Sequence, residues 1–214
     1  NGETITGEAA GVGGETGGSV VITTLDAAAA YILTNVGFGG AGGGNIGTVT
    51  STITTDTALN TGTVLGNVAL TVNNGVTLTA TGTQVHDRII AGSGAGEGSV
   101  IINSMIASID LGNFNANLLS VKAKVATGDV NLSTHTEVAD GTIDAIEVAA
   151  GATVHIDEAE FLNGAADVLL VSGAGNVTVS GAAIASRYDM TDITATGTTK
   201  IIFTAGGTVD ANSD

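Results

Sequence analysis

The chain has 214 residues, with 33 Gly and no Pro, Cys or Trp, and its 21 Asp and Glu outweigh five Lys and Arg to give a net charge of −16. Five basic residues cannot track a phosphate backbone, which excludes nucleic acid as a partner, and the absence of Cys excludes disulfides, Cys-based zinc sites and thiol nucleophiles. No apolar run approaches the roughly 20 residues of a membrane helix, so membrane insertion is not expected.

With 43 % hydrophobic but only 3 % aromatic residues, the core has to be built from Val, Ile, Leu and Ala. Such side chains suit a narrow interior between stacked strands. Abundant Gly, Thr and Asn suit strands and tight turns better than helices. The composition points to an all-β protein.

Residues 1–17 are Gly- and Glu-rich and read as an N-terminal extension or cap. No basic segment followed by an apolar core opens the chain, and Asn1 in place of Met suits a processed chain or a fragment. The first strand-like segment is Gly18-Ser-Val-Val-Ile-Thr23. Leu25 to Leu33 holds four consecutive Ala and is the one candidate helix, marginal at nine residues. Gly37 to Gly44 reads as a loop between coils.

From there one pattern recurs: Gly, then Val or Ile, then alternating polar and apolar residues. It appears as Gly75-Val-Thr-Leu-Thr79, Gly98-Ser-Val-Ile-Ile-Asn103, Gly128-Asp-Val-Asn-Leu-Ser133, Gly151-Ala-Thr-Val-His-Ile-Asp157, Gly175-Asn-Val-Thr-Val-Ser180 and Thr198-Thr-Lys-Ile-Ile-Phe-Thr204. Most starts lie 23 or 24 residues apart, and longer gaps carry insertions at one turn. A second strand-like segment falls inside each unit, at Thr142 to Val148, Asp167 to Val171 and Asp192 to Thr196.

A unit of about 23 residues with two or three short strands predicts one coil of a parallel β-helix, or β-solenoid, running over residues 18–214 in about seven coils. A coil cannot bury its apolar face alone; stacking supplies the core. The expected inward columns are Val49, Val76, Val100, Val130, Val154, Val177 and Ile201, then Ser51, Leu78, Ile102, Leu132, Ile156, Val179 and Phe203. Between them lies a mixed outward column in which Ile101 and Ile202 call for cover. The competing architecture is a β-sandwich, which usually draws on edge prolines and aromatic core anchors.

The acids gather between Glu137 and Asp167. Asp144, Asp167 and Asp192 each precede the second strand of a unit, so a solenoid would bring them near one corner, with Asp140 and Asp157 close in sequence. Clustered oxygen ligands suit Ca²⁺, which makes these five the candidate metal ligands. Neither the calcium-binding nonapeptide nor an EF-hand loop is present. The bland alternative is that these carboxylates cap turns through local backbone N–H groups.

A glycosidase or lyase would use paired carboxylates, and Asp157, Glu158 and Glu160 with Arg187 nearby are the best such set. Adjacent Asp157 and Glu158 would point to opposite faces of a strand. With two Arg and no Trp, no enzyme is expected. His86, His135 and His155 show no metal spacing. The stretch Gly92-Ser-Gly-Ala-Gly-Glu-Gly98 lacks the Lys of a phosphate loop and reads as a turn. Repeated Thr-x-Thr does not form the unbroken ranks of an ice-binding face. Two sequons, Asn131-Leu-Ser133 and Asn176-Val-Thr178, would accept glycan where the source glycosylates.

The Gly/Thr/Ala/Val/Asp-rich, Lys-poor coils from Gly128 to Asp214, of which Gly175-Asn-Val-Thr-Val-Ser180 is typical, resemble β-solenoid segments of bacterial cell-surface proteins, such as S-layer proteins and filamentous adhesins. The resemblance implies an extracellular, cell-surface location. It implies a structural role, in which the protein assembles with itself into a layer, sheath or fibre. The C-terminal coil ends at Thr208 to Asp214 without an evident cap, leaving a template for another chain. An adhesin module or phage-type fibre segment binding surface glycan is the second reading.

Overall fold

The computed structural model describes residues 5–7, 20–22, 49–66, 68–114, 117–133, 142–158, 169–182, 190–203 and 207–211. The protein is nearly all β. Its parallel sheets form a β-solenoid of about six turns, about 22 residues apart. The chain divides into two compact units, Asn1–Val100 with Asn113–Leu119, and Ile101–Gly112 with Ser120–Asp214.

The first unit holds β1 (Ile5–Gly7), β2 (Val20–Ile22), β3 (Val49–Ile53), β4 (Thr57–Ala58), β5 (Val68–Val72), β6 (Thr77–Ala80), the one-turn helix α1 (Gly82–Val85) and β7 (Ile90–Gly92). β8 (Ser99–Ile102) spans the boundary between the units. One sheet runs in the order β1-β2-β3-β5-β7. Its strands are parallel except β1, which lies antiparallel on β2. β4 pairs in parallel with β6.

The second unit holds β9 (Ser120–Val125), β10 (Asp129–Asn131), β11 (Ala145–Val148), β12 (Thr153–Asp157), β13 (Leu170–Gly173), β14 (Asn176–Ala182), β15 (Thr199–Phe203) and β16 (Gly207–Ala211). Coils here use two strands each. β9, β11 and β13 form one parallel ladder, and β10, β12, β14 and β15 form the other. Alternation decides which side chains meet inside. Val121, Ala123, Val125, Ile146, Val148 and Val171 point inward from the first ladder, and Val130, Val154, Ile156, Val177 and Val179 from the second. Among the described residues no aromatic side chain is among the largest fully buried ones. Each buried Val, Ile or Leu contributes about 1.5–3 kcal/mol relative to exposure.

The expected columns hold in the middle of the chain and fail at both sides of it. Val130, Val154 and Val177 do face one another across β10, β12 and β14. Val177, however, pairs with Thr199, and Ile201 pairs with Val179. A bulge between Ser180 and Ala182 then sets Phe203 opposite Ala182. Upstream, Val49 pairs with Val20 and Val68 rather than with Val76. Val76 and Val100 do not continue its column, because β6 and β8 belong to a different sheet from β3.

The C-terminal expectation is also corrected. β16 turns back and pairs antiparallel along the whole of β15, from Thr199 opposite Ala211 to Phe203 opposite Gly207. In each unit an antiparallel strand thus stands last on a parallel stack among the described residues. The candidate helix at Leu25 to Leu33 lies outside the described residues. α1 follows Thr81, whose N–H donates to the Gln84 side-chain oxygen at 2.9 Å. The Gln84 amide in turn donates to the carbonyls of Asn60 (2.7 Å) and Thr63 (3.1 Å), which lets this buried polar side chain sit under the coil.

Candidate functional site

At two corners an aspartate carboxylate accepts a backbone N–H across one coil. The Asp144 carboxylate accepts the N–H of Val121, and the Asp144 N–H donates back to the Val121 carbonyl at 3.0 Å. Asp56 accepts the N–H of Thr77 at 2.8 Å, and the Asn176 side chain accepts that of Thr198 at 2.9 Å. Each bond spans 21 to 23 residues, one coil. At a corner the strand ladder is interrupted and N–H groups lose their partners. A short Asp or Asn side chain on the adjacent coil replaces them.

Of the five candidate metal ligands, Asp140 and Asp167 lie outside the described residues. The other three are not gathered. Ala145 pairs with Leu170, and Ile193 bridges Val171. That register sets Asp192 in line with Ala145, one residue off Asp144 and two coils away. Asp157 ends β12 on the other ladder. Among the described residues no group of three or more His, Cys, Asp or Glu is placed to hold a metal ion. His155 stands in β12 between Asn131 of β10 and Thr178 of β14. His135 lies outside the described residues.

Asp157 and Glu158 meet rather than diverge. β12 stops at Asp157, so strand alternation no longer separates the next side chain. Partial burial raises the Glu158 carboxyl above its ordinary value, and the Asp157 charge and a hydrogen bond to Asp157 push the same way. A backbone hydrogen bond at Glu158 opposes them. Gly181 on β14 makes room: a Cβ there would collide with the Glu158 carboxylate. Glu160 and Arg187, the rest of the carboxylate set, are outside the described residues.

The feature sequence reasoning missed is a cleft of about 730 Å³ on the outward face of β9, β11 and β13. Lys122, Lys124, Ala145, Glu147, Leu170 and Asp192 are among its lining residues. Lys124 pairs with Glu147 one coil on, at 2.8 Å. Leu170 is 50 % exposed. The signal was present in β9: Lys122 and Lys124 alternate with Val121, Ala123 and Val125, which fixes both lysines on the outer face.

No protein-family model, curated protein or solved structure matches this chain.

Proposed function

We propose that this is an extracellular structural protein that assembles with copies of itself into a surface layer, sheath or fibre. The observation that supports this reading is the pair of terminal antiparallel strands. Among the described residues, β1 and β16 each stand last in their sheets. An outermost strand turns every second N–H and C=O away from its neighbour, and that edge accepts a strand from another molecule. Natural edge strands are blunted by Pro or Lys. β16 reads Gly-Thr-Val-Asp-Ala and carries neither, with Asp210 its single charge. A net charge of −16 keeps such a protein from sticking indiscriminately while permitting register-specific strand pairing.

The test is sedimentation velocity over a wide concentration range, comparing the wild type with Thr208→Pro and Val209→Pro. By alternation, one of these two residues directs its N–H outward. Proline there removes a donor for the incoming strand and leaves the ladder to β15 intact. The expected result is growth of the wild type and shortened assemblies for that one variant. A wild type that stays at 20.7 kDa throughout contradicts the proposal.

A further inference from the structure

The outward face of β9, β11 and β13 carries two rows of side chains along the ladder. Register sets Lys122 beside Ala145 and Ala145 beside Leu170, and the bridge between Val171 and Ile193 adds Asp192 to that row. The second row runs Lys124, Glu147, Ser172, Thr194. In the second row the charges are satisfied by the Lys124–Glu147 pair. In the first row, the side chains of Lys122 and Asp192 form no ion pair or hydrogen bond among the described residues. They stand about 14 Å apart, three strand spacings. Between them Ala145 leaves a hole in the cleft, and half-exposed Leu170 forms a bump.

We propose that this face is an interface with a second copy of the chain, related to the first by a two-fold axis parallel to the strands. Such an axis reverses the order of the row. Lys122 then faces the partner's Asp192, and Leu170 faces the partner's Ala145. Because the contact is isologous, each pairing occurs twice. Each cation meets a carboxylate, and the bump enters the hole. In the second row, Lys124 comes to the partner's Thr194 and Glu147 to the partner's Ser172, hydroxyls that donate and accept.

Charge selects this occupant. Two chains of −16 repel one another over most of their surface. Here Lys122, Lys124, Glu147 and Asp192 sum to zero, so the mutual repulsion is least. The same cancellation weakens the case for an anionic polymer in the cleft, and among the described residues the lining holds no aromatic platform for a neutral sugar. The inference shares with the proposed function the idea of self-association, but it uses a side face instead of strand edges.

The test is a charge swap read by sedimentation equilibrium. Lys122→Asp and Asp192→Lys each set like charges against one another in their own dimers. Each is expected to weaken dimerisation about tenfold or more. An equimolar mixture of K122D and D192K restores opposite charges at both pairings and is expected to recover wild-type affinity. Circular dichroism checks that each variant is folded; both positions are on the surface face. The dimer is expected to persist in T208P and V209P, so the loss of end-to-end growth leaves this contact readable. A wild type without a concentration-dependent dimer overturns the proposal. So do single reversals that leave it unchanged, or a mixture no tighter than its components.

Discussion

Asp144 holds Val121 from one coil away: its carboxylate oxygen lies 2.6 Å from the Val121 nitrogen, across a sequence separation of 23 residues. The bond is charge-assisted and sits where the ladder begins. Removing it strands the Val121 N–H at a partly buried position. Asp144→Ala is expected to cost about 1–3 kcal/mol in urea unfolding, and Asp144→Asn much less, since an amide oxygen still accepts. If this corner works by backbone capping alone, chelation with EDTA leaves the melting temperature unchanged. A rise of several degrees with added calcium would instead assign these acids to an ion.

Thr199 marks a local mismatch. Its side chain is buried opposite Val177, and its hydroxyl has no hydrogen-bond partner among the described residues. Thr199→Val keeps the shape and removes the unsatisfied group. Stabilisation by about 1 kcal/mol is expected, measured as a shift of the urea midpoint at constant slope.

Two glycines with positive φ should differ in how much a substitution costs. Gly173 has φ +108°, and a Cβ there would collide with the Val148 carbonyl and lie 2.9 Å from its nitrogen. Gly151 has φ +80° with open space around it. Gly173→Ala should therefore cost more than about 3 kcal/mol or prevent folding, since backbone cannot step aside. Gly151→Asn should cost less than about 1 kcal/mol, because Asn tolerates left-handed geometry. Thermal melts of the two variants compare them directly.

Glu158 should make stability fall as pH rises. Its carboxyl is raised in the fold, first by desolvation and then by Asp157. In the window between its ordinary and raised values, the folded state binds more protons than the unfolded state. The slope of stability against pH there is negative, and the contribution is lost above the raised value. Glu158→Gln should flatten this segment of the stability profile. An unchanged profile would show that the pair is solvated.

Much of the solenoid was legible because Gly128, Gly151 and Gly175 mark one corner at nearly constant spacing, and the Val and Ile positions after them are buried as the alternation predicts. The last register was not legible, and the reason is geometric. A two-residue slip preserves the inside–outside pattern, so Thr199 and Ile201 were equally acceptable partners for Val177 by pattern alone. Upstream, the same Gly-Val motif serves different faces of the coil, and period-two alternation carries no label for the face. Asp144 was singled out as a corner residue, and its carboxylate accepts the Val121 N–H one coil away; Asp192 falls in line with Ala145 and Leu170. Whether their oxygens met an ion, a backbone N–H or another molecule depended on cross-coil register, which no local pattern encodes.

The proposed self-assembly is decided by sedimentation velocity of the unmodified chain, from low to high concentration at physiological ionic strength. The expected mass climbs with concentration well past one chain of 20.7 kDa, with the particles seen as ordered layers or fibres by electron microscopy. A single species of one chain at every concentration would contradict it.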